Sequence, residues 1–261
     1  MSPPYSSPLL ETDALEVAQS SGADGLEGVG LRSVDWRVSE GELWVVAGAQ
    51  GSGKTALLET LAGLIPAAAG SVRLLGRAVH GSGDHEAVLR ETRRLMGLVF
   101  DGNGRLFSGL TVGENILLPW CYHRNATTTE GIAALGPLIR HLQLESLLSR
   151  TPASVGRSWS RRVALARCLA LGPRLLLLDN PLAGLDAVHL RWWRGFLAEA
   201  RAGHPVLGGF PLAIIAATDA VRPYLGLDPR FALVEGGRWR ILPGVESVLA
   251  ATGEDGPNPP T

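Results

Sequence analysis

The residues with the clearest chemistry are Gly48-Ala49-Gln50-Gly51-Ser52-Gly53-Lys54-Thr55. Glycines at positions 48, 51 and 53 let successive backbone N–H groups turn inward around a phosphate. A helix starting near Lys54 adds free N–H groups and the positive end of its dipole. Lys54 would reach the outer phosphates of a nucleotide, and Thr55 would offer its hydroxyl to the accompanying Mg²⁺. Composition singles out the lysine: Lys and Arg total 24, and Lys54 is the only lysine among them. Arginine serves wherever a generic positive charge is enough, whereas a planar guanidinium would crowd a phosphate loop. A second acidic element lies 124 residues after Thr55, where Leu175-Leu176-Leu177-Leu178 runs into Asp179. A buried strand ending in a carboxylate can hold hydrated Mg²⁺ beside such a loop. The cofactors read from these residues are ATP and Mg²⁺, with Lys54 and Asp179 as candidate catalytic residues and Thr55 and Asp179 as metal ligands.

Short apolar runs and helical patterns must position these groups. Leu43–Ala47 predicts a buried strand leading into the loop, and Thr55–Leu64 a helix leaving it. Further strands are expected at Leu95–Phe100, Leu175–Asp179 and Phe210–Ala217, with a helix over Arg161–Leu171. Such alternation argues an α/β fold with a mainly parallel sheet. Residues from about 101 to 158 lack it and predict an inserted helical subdomain. Residues 1 to about 12 and 252–261, rich in Pro, Gly, Ser and acid, are expected to be loose tails around a nucleotide-binding domain at 13–251.

Composition narrows the class. A net charge of −1 leaves no basic stripe for nucleic acid. No apolar run approaches the ~18 residues of a spanning helix. The start, MSPPYSSPLLETD, lacks a positive region before an apolar one, and two cysteines are too few for a disulfide framework. The expectation is a cytosolic protein whose Asn125-Ala126-Thr127 sequon goes unused.

Further motifs give this pattern a family likeness. Leu106-Phe107 with LTVGEN (Leu110–Asn115), RRVALAR (Arg161–Arg167) and LLLLDNPLAGLD (Leu175–Asp186) make about residues 26–245 resemble the ATP-binding cassette (ABC) ATPases of membrane transporters. The resemblance implies a P-loop NTPase (RecA-like) core and a pair of subunits sandwiching two ATP molecules, a homodimer being favoured. Each site would join one chain's phosphate loop to the other's signature helix. Separate transmembrane permease subunits would hold the pair at the inner face of the cell membrane. Within the family, Met96–His123 looks most like the ATPases of Mla/Mce-type lipid transporters, which implies lipid or another hydrophobic cargo.

Four positions depart from that family. Asn180 stands where a glutamate polarises the attacking water, and an amide can orient a water without accepting its proton. Thr218 and Asp219 stand where a histidine is expected, and no histidine follows His204. Asp101 replaces the Q-loop glutamine, with a carboxylate able to touch Mg²⁺. The signature aligns on Val155-Gly156-Arg157-Ser158-Trp159: Arg157 could pair with the partner's γ-phosphate and Ser158 supply a hydroxyl, while Trp159 adds bulk. The adenine-stacking aromatic is also missing from residues 22–31. Two readings stay open, an altered and slow ATPase or an ATP-dependent clamp. Trp192-Trp193 is read as helix packing. Leu106, Phe107, Leu110, Leu117 and Leu118 are read as core residues or as contacts to a membrane partner.

Overall fold

The computed structural model describes residues 8–18, 29–80 and 86–254. Ten strands form one sheet: β1 Leu10–Ala18, β2 Val29–Val38, β3 Leu43–Ala47, β4 Ala67–Leu74, β5 Arg77–Ala78, β6 Met96–Val99, β7 Leu175–Asp179, β8 Ala213–Thr218, β9 Arg230–Glu235 and β10 Arg238–Leu242. Their spatial order is β5-β4-β1-β2-β10-β9-β3-β8-β7-β6. Strands β6, β7, β8, β3 and β9 pair in parallel, as expected of a P-loop core. Every residue of β3, β7 and β8 is buried, because helices or other strands cover both faces. Within β7 the period of two decides the partner: Leu176 and Leu178 join one apolar core, Leu175 and Leu177 the other.

The first core lies under helices α3 Val112–Arg124, α4 Thr128–His141, α5 Arg157–Leu169 and α6 Ala187–Ala202. The second lies between α1 Lys54–Leu61 and an antiparallel arm of β1, β2 and β4. Trp36 anchors the arm, packed edge-on against Trp44 at 5.2 Å and tilted against Trp239 at 4.7 Å. Helices α2 Glu86–Arg94 and α7 Val245–Thr252 complete the described α-helices.

Local chemistry explains several boundaries. Gly97 interrupts an apolar strand because a Cβ there would meet Cys168 Cβ at 3.0 Å. Strand β8 begins at Ala213 rather than Phe210, just after Pro211, which has no N–H for a ladder. Helix α5 begins at Arg157, four residues earlier than the sequence pattern suggests, with Gly156 as its N-cap. Within LTVGEN, Thr111 and Glu114 form a capping box for α3. Buried Asn115 donates to the carbonyls of Phe107, Leu110 and Thr111 and accepts from Phe107 N at 2.8 Å, fastening the preceding loop to α3.

The reading of residues 1 to about 12 as a loose tail is corrected where the structure describes them. Leu9, Leu10 and Thr12 are buried, and Thr12 Oγ1 donates to Val34 O at 2.6 Å. Pairing with β2 on one side and β4 on the other orders this segment. At the far end, Thr252 closes α7, and Glu254 accepts from the N–H groups of Val221 and Arg222. Residues 1–7 and 255–261 lie outside the described set.

Candidate functional site

Strand β3 delivers the chain into the glycine loop, and α1 carries it away. Gly48 is required by close approach: a Cβ would lie 2.5 Å from Val234 O and 2.8 Å from Ser52 Oγ. Gly53 caps α1 at φ 103°, in the left-handed region that favours glycine. Lys54 Nζ folds back over its own loop, donating to Gly48 O at 2.7 Å and Ala49 O at 2.8 Å. The side chain is 8% exposed. Burial lowers its proton affinity, while the charges of Asp219 and Asp179 act in the opposite direction. A cavity of about 920 Å³ follows the loop from Gly48 to Ala56 and extends to Leu31, Gly237 and Asp219. No aromatic side chain lines it among the described residues; most of the stretch 22–31 falls outside them.

Asp179 ends β7 beside the loop and accepts a hydrogen bond from Thr55 Oγ1 at 2.9 Å. Its burial pushes the carboxyl pKa up, Thr55 pulls it down, and the negative charge of Asp101 raises it again. A buried carboxylate and a hydroxyl held together this way suit a hard divalent cation. Next in the chain, Asn180 adopts φ 51° and donates its backbone N–H to Ala217 O at 2.9 Å. Its side-chain Oδ1 is buried without a hydrogen-bond donor among the described residues.

Asp101 is placed differently from the expected metal contact. Its Oδ1 receives Arg161 Nη2 at 3.1 Å and Arg157 Nη2 at 3.3 Å. The Q-loop position is thus tied to the signature helix of the same chain. Arg161, 1% exposed, also donates through Nη1 to the carbonyls of Ala183 and Pro181, so one guanidinium joins Asp101, α5 and the turn after Asn180. Gly156 and Ser158 sit at the open N-terminus of α5, which lacks a side-chain cap. Trp159 turns into the protein: Arg162 lies 4.4 Å from its ring and 3.7 Å from that of Trp192. Burial brings the Arg162 pKa down to about 10. Trp159 also meets His189 edge-on at 5.2 Å, and His189 Nδ1 is 2.7 Å from Asp186 Oδ2. Thr218, in the place of the missing histidine, closes a turn by donating to Ala220 O and accepting from Ala220 N. Asp219 faces the nucleotide cavity.

The sequence model of the family described as "ABC transporter" matches residues 31–183, more than half of this chain. The chain belongs to the ABC transporter family. Among its ABC relatives, the molybdenum import ATP-binding protein ModC of Paramagnetospirillum magneticum is 32% identical over 226 residues, covering 84% of this chain and 58% of that protein. The sulfate/thiosulfate import ATP-binding protein CysA of Xylella fastidiosa (strain Temecula1) is 36% identical over 223 residues, with 84% and 58% covered. The lipoprotein-releasing system ATP-binding protein LolD of Alcanivorax borkumensis is 33% identical over 190 residues, covering 69% of this chain and 77% of that protein. This chain therefore spans less than two thirds of the length of the ModC and CysA relatives. The dimeric cassette MJ0796, in a post-hydrolysis state bound to ADP and Pi, superposes with a TM-score of 0.75 at 22% identity, over 90% of this chain and 100% of that one. That likeness carries the fold.

The structure thus brings Lys54, Thr55, Asp179 and Asp219 around one loop, with Asn180 next in the chain after Asp179, and draws Asp101 toward Arg157 and Arg161. Arg161 as the hub of that arrangement escaped sequence reasoning, although RRVALAR contains it. Its signal is a motif arginine whose two loop partners lie 60 and 22 residues away. Trp193 is fully buried and Trp192 stacks on Phe196, in agreement with helix packing. Leu117 is a core residue, whereas Phe107 and Leu118 are exposed.

Proposed function

We propose that this chain is the ATP-binding subunit of a transporter, acting as one of two paired copies beneath separate transmembrane permease subunits. The pair would be peripheral to the inner face of the membrane. In this reading the chain holds ATP firmly and hydrolyses it slowly. The carrying observation is the contrast at the loop, where Lys54 and the Thr55–Asp179 pair are in place while the next residue is an amide, Asn180.

Loop N–H groups and Lys54 take the β- and γ-phosphates. Thr55 and Asp179 would hold Mg²⁺, which when bound draws charge off the phosphate oxygens. Asn180 Oδ1 accepts a hydrogen bond from the attacking water and orients it, but takes no proton at neutral pH. Loss of that base slows turnover by about 10²–10⁴-fold while leaving phosphate binding intact. In trans, Gly156 and Ser158 of the partner copy offer backbone and hydroxyl to the γ-phosphate, and Arg157 joins them only on leaving Asp101.

Lipid or another hydrophobic cargo belongs to the same proposal, supported by the resemblance over Met96–His123 and by the lipoprotein-releasing relative. The relatives named for molybdenum and sulfate import share the ATP-binding core, so similarity supports that role more strongly than any cargo.

The test is ATP binding and turnover by the full chain with its permease, beside Lys54→Ala and Asn180→Glu. Wild-type turnover above the Lys54→Ala background, raised by Asn180→Glu, is the expected result. Turnover equal to that background leaves a non-hydrolysing clamp, the reading that the Asn180 amide also favours. Failure of the wild type to bind ATP with Mg²⁺ overturns both.

A further inference from the structure

Away from the nucleotide cavity, His141, Glu199 and His204 converge from three segments. His141 is the last residue of α4, Glu199 lies in the last turn of α6, and His204 caps the short 3₁₀ turn Pro205–Leu207. One ring nitrogen from each histidine and a carboxylate oxygen of Glu199 all lie within 4.8 Å of one another. The two imidazoles stack, with centroids 4.3 Å apart and planes 23° from parallel. His141 Nε2 is 3.3 Å from Glu199 Oε2.

A carboxylate–imidazole pair explains the 3.3 Å contact and capping explains one nitrogen of His204, but neither accounts for three donor atoms gathered within 4.8 Å. Two imidazoles and a carboxylate are a donor set preferred by a zinc-class ion. A tetrahedron with bonds of about 2.0–2.1 Å has ligand atoms about 3.3 Å apart. The His141–Glu199 separation already has that length, and closing the rest would require the His204 ring to swing off its stack on His141. His204 Nδ1 receives Val206 N–H at 3.3 Å, a long bond that its ring gives up on rearranging its proton. None of the three residues lines the nucleotide cavity.

We propose that His141, Glu199 and His204 form a site for a zinc-class divalent ion, with water as the fourth ligand, fastening the end of α4 to the end of α6. The experiment titrates the full nucleotide-free chain with Zn²⁺, and with Co²⁺ as a spectroscopic probe. One ion per chain, the visible spectrum of tetrahedral Co²⁺ and a raised Tm are expected. His141→Ala and His204→Ala should each weaken binding by at least about tenfold, with ATP binding unchanged as evidence of folding. Should either alanine variant fail to fold, Glu199→Gln at its exposed position provides the comparison and should also weaken binding. Wild-type affinity retained in the folded variants, an octahedral Co²⁺ spectrum, or no binding by the wild type would each overturn the site.

Discussion

The nucleotide loop and the start of α5 are built by opposite means. Around Lys54 the polar groups are mostly backbone: two carbonyls hold the ammonium, and glycines leave the loop open. Around Arg161 they are side chains reaching across the fold, with Asp101, Arg157 and Arg161 linked in one ionic group. The first arrangement depends on a local sequence and tolerates little variation. The second can be rewired by exchanging a few side chains, and two of its members, Asp101 and Arg157, are among the positions expected to depart from the family pattern. Binding and chemistry are therefore separable here, because they rest on different kinds of contact.

Arg161→Ala should give the largest effect on the folded chain. It leaves the carbonyls of Pro181 and Ala183 without their donor and opens a hole in a buried region. A loss of about 2–4 kcal/mol is expected from those two causes, read as a shifted denaturant midpoint. A near-neutral result would mean that the ionic group is peripheral and the contrast drawn here too sharp.

Lys54→Ala tests the other side. Charge-assisted bonds to phosphate contribute about 1.5–3 kcal/mol, so ATP affinity should fall about 10–100-fold, with the unfolding midpoint falling less than in Arg161→Ala. Asn180→Glu should leave affinity alone and raise turnover by at least about tenfold, the smaller gain reflecting the absent histidine. Equal turnover in the two proteins would place the limiting defect at Thr218–Asp219 or at the signature.

Half of this contrast could be read in the sequence. Loop, α1 and β7 were legible because glycine spacing and continuous apolar runs are local signals. The antiparallel arm was not, since backbone irregularities break its alternation. In β1 the buried positions step from Leu10 and Thr12 to Leu15 and Val17, with Ala14 at φ 43° between them. In β2 they step from Leu31 to Val34 and Trp36 across Ser33 at φ 52°. A bulge shifts the period of two by one residue, and the pattern then reads as irregular. The Asp101–Arg157–Arg161 group was illegible for a different reason. Its members lie 56 and 60 residues apart and meet only once β6 and α5 have packed.

Asp179→Asn separates stability from function within the grip itself. Burial raises the folded-state pKa of Asp179 above its ordinary 3.8. The folded chain therefore holds this proton more tightly than the unfolded chain, and the ionised group subtracts stability. That subtraction is absent below pH 3.8 and complete above the raised value. Asp179→Asn keeps an acceptor for Thr55, so it should stabilise the nucleotide-free chain at neutral pH while weakening Mg²⁺-dependent ATP binding. The gain should vanish toward the acid end, and a gain independent of pH would exclude the buried charge as its cause.

The smallest effect is expected at Asp101, and it sharpens the comparison most. Asp101 is 41% exposed, and its exposed pair with Arg157 contributes only about 0.2–1 kcal/mol, while buried Arg161 has two carbonyls as further acceptors. Asp101→Asn keeps the shape and removes the charge, so the unfolding midpoint should barely move and Arg161 should stay on its two carbonyls. Arg157, 62% exposed and with Asp101 as its hydrogen-bonded acid, should then be released. If Arg157 acts in trans on the γ-phosphate, ATP-driven pairing of two chains should strengthen in Asp101→Asn and return to the wild-type level in Asp101→Asn/Arg157→Ala. Light scattering with ATP and Mg²⁺ measures this directly. Unchanged pairing in the single variant would confine Arg157 to a structural contact, and the N-terminus of α5 would then work through Gly156 and Ser158 alone.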